Sequence, residues 1–511
     1  MIRWGITANS HDAAIAVFDG TRLLWAAHSE RTSGVKNDRD LNDTIVEQAL
    51  KYGWPYEIHW YETPWLKRIR QLYAKQYKTA LNTRHLDNYL LQYGFDVGIS
   101  IMDDDFINIG LIPAKLRTHR HHHSHAAAGY YTSPFQNAAV VVIDAIGEFE
   151  TFTVWRGAGD ELKKLYSQSY PDSIGLWYSA MTQRIGLKPN EEEYILMGWA
   201  AIGDPNKYFD RIYTDFFEFL EPGSLKVKLK RNLHRGCLDW AHELNTLQDY
   251  ADIAAGTQAV YEHVFEHLMR ETHRRTGERN LVIMGGCALN CVANSIAYKY
   301  FDNVWIMPNP GDAGSAVGAV LAHIKKHIEW PGPYLGYEIP GDYPVESTIQ
   351  ELKKTGMVGV ANGRAEFGPR ALGNRSLLAD PRGAKMKDVV NSVKQRQEFR
   401  PFAPVIMEEH VHEYFVMPCD TSPYMQVVAK CRHPDLFPAI THLDGTSRVQ
   451  TVNEKQHPGL YKLLQRWYAE TGCPMLLNTS LNIKGKPMVD NEQQAAEWEK
   501  TYNVKVLTRE E

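Results

Sequence analysis

The feature that most constrains this chain is a strand–turn–strand unit that occurs twice. In the first copy, residues 3–8 and 13–18 are apolar and flank a polar turn at residues 9–12. A third apolar run, residues 22–27, follows the Asp19-Gly20 turn. Short apolar runs separated by turn residues predict an antiparallel meander. The second copy, AAVVVIDAIGEFETFTVWRG from Ala138, again runs strand, turn, strand. Asp12 sits in the first turn and Asp144 in the second. A fold of two similar halves, each offering such a turn to a shared nucleotide cleft, would produce this repetition.

At 511 residues the chain exceeds one ordinary core and fits two or three domains. Its 44% hydrophobic and 23% charged residues are the balance of a soluble globular protein. A net charge of -5 does not point to nucleic acid, so any basic surface must be local. The N-terminus reads as strand and turn rather than as an export signal, and no apolar run is long enough to span a bilayer. The 6 cysteines (Cys237, Cys287, Cys291, Cys419, Cys431, Cys473) form no CxxC pair, so a reduced, cytoplasmic protein is expected.

Further on, residues 280–284 form an apolar strand ending in Gly285-Gly286, and ALNCVANSIAYKY follows with a helical look. A strand at residues 303–307 then leads through PNPGDAGSAVGAVLAHI into a helix of small residues. Strand, glycine turn and helix start is the geometry in which backbone N–H groups receive phosphate. Residues 331–343 are rich in Pro and Gly and suit a linker. The domain boundary is placed there, giving one domain over residues 1–335 and another over residues 345–511.

Two constellations carry chemistry. In HRHHHSHAAAGYY (residues 119–131), His121 and His125 share one helix face and can offer two imidazoles to one metal. A solvated histidine cluster is the alternative reading. Asp144 and Asp312, both in strand-end turns, are the carboxylates available to complete a first-row metal site of the non-haem iron kind. His122 and His123 face elsewhere, supporting the ligands or lying exposed. The second constellation, RAEFGPRALGNRSLLADPRG (residues 364–383), packs four arginines and Asn374 among Gly and Pro. Such a loop can hold guanidinium forks around a phosphate. KQRQEFRPFAPV, SPYM, HLDGTSRVQTV and LLNTSLNIKGKP repeat the pattern of polar side chains among turn residues.

At these residues a resemblance enters. GITANSHDAAIAVFDG, HSERTSGVKND, HHHSHAA, VVIDAIGE, MGGCALN, PGDAGSAVGA, EFGPRALGNRSLLADPR, FRPFAPV, SPYM, HLDGTSRVQTV and LLNTSLN follow in this order over nearly the whole chain. The series resembles the carbamoyltransferase family of the nodulation-factor, cephamycin and tobramycin carbamoylating enzymes. The resemblance implies an α/β protein with an N-terminal duplicated actin-like ATPase (ASKHA) domain, similar to the tRNA threonylcarbamoyl-transfer protein. It implies a C-terminal YrdC-like α/β domain that makes carbamoyl-AMP from carbamoyl phosphate and Mg-ATP, releasing phosphate and pyrophosphate. The adenylate then moves internally to the N-terminal site, where an acceptor hydroxyl attacks it, and enclosure protects it from water.

Carried over by position, the resemblance makes His121, His125, Asp144 and Asp312 ligands of iron(II) or a similar divalent ion. Lys36, Gly285, Gly286, Asn290 and Asp312 fall in ATP- or adenylate-binding motifs. Asn9 and His11 stand where the acceptor is expected. Arg370, Arg400, Arg448 and Asn478 match the carbamoyl-phosphate cradle, with Lys394 and Ser422 close by. His11 is the candidate general base, because an imidazole titrates near neutrality.

Departures from the family pattern cluster on the acceptor side: Ser10 where glycine is usual, the looser HSERTSGVKND string, and Trp199 where a small apolar residue is usual. Between Thr63 and His85 lie Lys67, Arg68, Arg70, Lys75, Lys78 and Arg84, with Tyr73 and Tyr77 interleaved and no acidic residue. LKVKLKRNLHR from Leu225 would set Lys226, Lys228 and Lys230 on one strand face. Bases and phosphates can bind such surfaces. A small-molecule or nucleoside hydroxyl is the preferred acceptor. Carbamoylation of a hydroxymethylated pyrimidine in nucleic acid and tRNA threonylcarbamoyl transfer are the alternatives.

Overall fold

The computed structural model describes residues 1–82, 86–97, 112–383, 385–396 and 402–510. The repeated unit opens each of two five-stranded sheets of identical order. The first contains β1 (Ile2–Thr7), β2 (Ala14–Asp19), β3 (Arg22–His28), β4 (Glu57–Trp60) and β5 (Lys115–Thr118), in the order β3-β2-β1-β4-β5. The second contains β6 (Asn137–Gly147), β7 (Glu150–Ala158), β8 (Glu161–Ser169), β9 (Asn280–Met284) and β10 (Asn303–Trp305), in the order β8-β7-β6-β9-β10. In both, the opening three strands are antiparallel and the last two run parallel to the first. The two halves are therefore copies of one topology.

Two helices lie between the sheets: α2 (His121–Thr132) and α4 (Ser315–Ile324). Each follows one half yet packs on the other half's sheet. On α2, a Cβ at Gly129 would fall 2.6 Å from Val282 of β9; on β1, a Cβ at Gly5 would fall 1.7 Å from the Ala316 carbonyl of α4. The helices also touch closely, since a Cβ at Gly318 would lie 1.8 Å from the Ser124 carbonyl. Ala126, Ala127, Ala128, Ala316 and Val317 form with β2, β6 and β9 a core belonging to both halves. Small residues are what allow helix and sheet backbones to approach this far.

The C-terminal part is a six-stranded mixed sheet. It contains β12 (Met357–Ala361), β14 (Arg375–Ala379), β15 (Ala403–Met407), β19 (Gln450–Val452), β20 (Met475–Ser480) and β21 (Val506–Leu507), in the order β19-β15-β20-β14-β12-β21. Helices α5 (Val345–Thr355), α6 (Lys385–Lys394), α7 (Pro458–Thr471) and α8 (Glu492–Tyr502) accompany it. On α7, Leu460, Leu463, Leu464 and Trp467 are buried at helical spacing, fixing one apolar face on the sheet. β16 (Phe415–Val416), β17 (Val428–Cys431) and β18 (Thr446–Arg448) form a small separate sheet.

The stretch read as a linker contains a strand, β11 (Tyr334–Ile339), paired antiparallel with β13 (Gly363–Glu366). Leu335 and Ile339 on it are buried. Apart from Gly336 within the strand, its Pro and Gly residues flank the strand, which is why composition suggested a linker. Residues 225–230 are extended, with Leu225, Val227 and Leu229 buried in alternation, but make only an isolated bridge from Leu229 to Phe217. Lys228 pairs with Glu218 at 2.6 Å and Lys230 donates to the Thr214 carbonyl, so this lysine row is largely committed within the chain. All six cysteines are free, and no helix among the described residues is long and apolar enough to cross a membrane.

Candidate functional site

Four side chains from separate elements converge between the two halves. His121 and His125 project from the first turns of α2, Asp144 from β6, and Asp312 from the turn before α4. His121 Nε2 lies 3.0 Å from Asp144 Oδ2 and 3.5 Å from Asp312 Oδ1; His125 Nε2 lies 3.3 Å from Asp312 Oδ1. The two Nε2 atoms are 3.1 Å apart. Two imidazole lone pairs cannot face each other at that distance without a proton or a cation between them. Neighbouring ligands of a metal bonded at about 2.1 Å stand roughly 3.0–3.5 Å apart, so the residues fit one ion. Burial works against a charge on His121, yet the Asp312 and Asp144 carboxylates raise its pKa well above the ordinary value. Burial likewise opposes Asp144, which His121 nevertheless draws down to about 2.

The histidine helix requires its surroundings. A Cβ on Gly147 would strike the His121 ring at 2.2 Å. His122 is buried against Thr153, 3.0 Å away, and His123 stacks on Trp155, so neither is a ligand.

The first turn holds Asn9 and Asp12 in left-handed backbone, with φ of 62° and 50°. His11 Nδ1 lies 2.8 Å from Asp12 Oδ2, and its Nε2 donates to the Asn190 carbonyl at 2.9 Å. Burial would lower its pKa, but Asp12 and Asp312 together raise it to about 10. This geometry supplies an imidazolium, whereas the base reading rests on a neutral ring. Asn9 lines a pocket of about 380 Å³ with Arg39, Trp60, Glu62, Lys67 and Lys78. In α1 (Pro64–Tyr73), Lys67 turns inward to Glu62 at 2.7 Å and Arg70 donates to the Glu148 carbonyl at 3.0 Å. The basic stretch is thus less cationic outside than its sequence suggests; Arg84 lies outside the described residues.

Among the residues expected at a nucleotide, Gly286 N–H donates to Asp144 Oδ1 at 3.3 Å, joining the glycine turn to the four-residue cluster. Gly285, at φ 93°, has no room for a Cβ beside the Ile143 carbonyl. Asn290 caps the helix Cys291–Asn294 and bonds Gln258 twice, at 3.1 and 3.0 Å, so its amide is occupied structurally. Lys36 pairs with Glu30 at 3.7 Å.

Among the arginines of residues 364–383, the structure separates roles. Arg375 is buried and donates to the carbonyls of Asp490, Asn362, Gly363, Asn374 and Tyr337. Arg364 donates to the Leu24 and Leu335 carbonyls, and Arg382 forks onto Asp380. Arg370 lines a small crevice of about 10 Å³ with Ala288, Leu289, Pro308, Pro310 and Gln426. The expectation that these guanidinium groups together face a phosphate is thereby reduced to one. Asn478 on β20 donates to the Ala371 carbonyl at 3.1 Å and to Gln450 at 2.7 Å, next to Arg370. Arg448 is half-buried beside Cys291, and its Nε has no hydrogen-bond partner. Lys394 reaches Ser480 Oγ at 3.0 Å and Asn482 at 2.7 Å, and Ser422 donates to the Val449 carbonyl. Arg400 lies outside the described residues.

Residues 2–321 match the family model described as carbamoyltransferase N-terminus, and residues 349–511 match carbamoyltransferase C-terminus. The chain belongs to the carbamoyltransferase family. Nodulation protein NolO of Bradyrhizobium diazoefficiens is 33% identical over 73% of this chain and 75% of its own. Nodulation protein U of Rhizobium tropici is 29% identical over 96% and 92%. An uncharacterised protein of Synechocystis sp. is 31% identical over 96% and 93%. Among solved structures, full-length HypF in its phosphate- and nucleotide-bound form covers 63% of this chain and 46% of its own, with TM-score 0.35 and 11% identity.

This carbamoyltransferase also uses residues that sequence reading passed over. Arg31 is buried, donates to the Gly368 carbonyl at 3.0 Å, and leaves Nε, 3.9 Å from Glu30 Oε1, and Nη1 without hydrogen bonds where the N- and C-terminal parts meet. Gln426 donates to the Met307 carbonyl at 3.1 Å, and the Asn294 amide donates to the Gln426 carbonyl at 3.0 Å. Glu366 holds the 368–374 loop by accepting from the N–H groups of Leu372, Asn374 and Arg375. The HSERTSG string was the available signal for Arg31; the others carry none, because their partners are backbone atoms distant in sequence.

Proposed function

We propose that the protein is an ATP-dependent O-carbamoyltransferase working through two linked sites. The C-terminal part, read as YrdC-like, binds carbamoyl phosphate through Arg370, Arg448 and Asn478, with Lys394, Ser422 and Arg400 nearby. Water cleaves carbamoyl phosphate to carbamate and phosphate; a carbamate oxygen then attacks the α-phosphorus of Mg-ATP, the bond to the β-phosphate breaks, and pyrophosphate leaves as carbamoyl-AMP forms. The N-terminal part, read as a duplicated actin-like ATPase fold, receives the adenylate beside Gly285, Gly286 and Asp312. An acceptor hydroxyl then attacks the carbamoyl carbon, the bond to phosphate breaks, and AMP departs.

What supports this reading is the match of residues 2–321 and 349–511 to the two carbamoyltransferase families, with Arg370 beside the 288–289 turn in a narrow crevice of about 10 Å³ between the two parts. His121, His125, Asp144 and Asp312 would hold a divalent ion, iron(II) being the expected one, which when bound supplies Lewis-acid stabilisation of developing charge. His11, held as an imidazolium by Asp12, is suited to neutralise negative charge there. The pocket beside Asn9 has the size of a small-molecule site. Its inward-turned Lys67 favours a compact hydroxyl acceptor, such as a sugar, polyketide or nucleoside, over a polynucleotide.

The test is pyrophosphate release. It should require carbamoyl phosphate, disappear in Arg370→Ala, and persist in His121→Ala while carbamoylated product, read by mass spectrometry, is lost. Release without carbamoyl phosphate, or release driven by threonine, would overturn the reading.

A further inference from the structure

A second histidine cluster lies away from the candidate metal centre. Glu57 and His59 stand on β4, and His323 comes from the last turn of α4, so the group joins the first sheet to a helix of the second half. His59 is fully buried, and its Nε2 has no hydrogen-bond partner. That nitrogen lies 3.5 Å from Glu57 Oε2, and His323 Nε2 lies 3.8 Å from the same oxygen. The three ligand atoms all fall within 4.8 Å of one another.

The surroundings orient these groups as ligands. His59 Nδ1 lies 3.1 Å from His119 Nε2. If Nδ1 carries the proton and donates it to His119, the Nε2 lone pair faces Glu57 and His323. A histidine whose other nitrogen is tied down in this way is the usual form of a metal-bound imidazole. Glu57 is steadied by Arg3 on Oε2 at 2.9 Å and by Arg117 on Oε1 at 2.8 Å. His323 is one-third exposed and leaves an approach from solvent.

We infer that Glu57, His59 and His323 form a second metal site, taking a borderline transition ion such as Zn²⁺ and clamping the two halves together. Two imidazoles and one carboxylate are a recurrent zinc donor set, with further positions left to water. Arg3 and Arg117 oppose any added cation. That repulsion falls on every divalent ion alike, and the two imidazoles select ions that bind nitrogen strongly over Mg²⁺ and Ca²⁺, which have little affinity for imidazole. The inference stands independently of the proposed carbamoyl chemistry.

The experiment loads the full-length protein with Zn²⁺, dialyses it, and measures bound metal and melting temperature for wild type, His59→Ala, His323→Gln and His121→Ala. Wild type should retain one more equivalent than either His59→Ala or His323→Gln. Zn²⁺ should raise the melting temperature of His121→Ala but give His323→Gln a smaller rise than wild type. His323→Gln, at a partly exposed position, serves if His59→Ala does not fold. Equal zinc content in wild type and His323→Gln, or a zinc-induced rise that His323→Gln leaves unchanged, would overturn the site.

Discussion

At the scale of single residues, the decisive fact is that two imidazole nitrogens face each other at 3.1 Å inside a cage of two carboxylates. Without a metal the cage holds a proton on His121, whose raised pKa keeps it charged through neutrality. The sign follows. A histidine with a raised folded-state pKa stabilises the metal-free fold at low pH, and that contribution is lost as pH rises through its folded pKa. A metal must displace this proton, so divalent-ion affinity should rise with pH by about one log unit per pH unit for each proton displaced. Calorimetric titrations at several pH values measure the slope, and a flat profile would contradict the protonated cage. Asp144→Asn should lower both the affinity and the slope, since that carboxylate helps to hold the proton.

At the scale of elements, the fold turns on close approach. Gly5 lets β1 touch α4, and Gly318 lets α4 touch α2, with would-be Cβ contacts of 1.7 and 1.8 Å against backbone carbonyls. Backbone cannot swing aside as a side chain can, so Gly5→Ala must separate helix from sheet. The expected destabilisation is about 3 kcal/mol or more, at the upper end of overpacking costs, read by denaturant unfolding. Gly311→Ala tests the alternative that any glycine loss is costly, because no atom lies near its would-be Cβ and its φ of -77° suits any residue. The repeated strand–turn–strand unit was legible because apolar alternation is local. His121 and His125 were legible because helical spacing puts them on one face. The helix exchange between halves was not legible, since Gly5 and Ala316 meet only through tertiary packing. Nor was β11, whose flanking Pro and Gly mimic a linker. Arg375 looked like a phosphate ligand because a sequence does not show that backbone carbonyls already occupy its guanidinium.

At the scale of the whole molecule, the question is how two sites work as one. Polar bonds join the N- and C-terminal parts, Arg31 to Gly368, Gln426 to Met307, Asn294 to Gln426, and Arg364 to Leu24, beside apolar contacts such as Phe367 on His28 and Tyr424 on Trp305. Polar atoms kept dry at such a junction are costly unless paired, yet Arg31 leaves Nε and Nη1 without a hydrogen bond there, with Glu30 Oε1 3.9 Å from Nε. On the proposed mechanism, these donors suit the phosphate of an adenylate passing between the parts. Arg31→Ala should then uncouple the halves: pyrophosphate release continues while carbamoylated product falls, so the ratio of the two rises well above one. Arg31→Lys keeps the charge but not the guanidinium fork, and should restore coupling only in part. If Arg31→Ala lowers both products in parallel, Arg31 braces the junction and takes no part in passage. If neither product changes, the adenylate crosses elsewhere, and the pocket lined by Arg370 and Gln426 becomes the route to test.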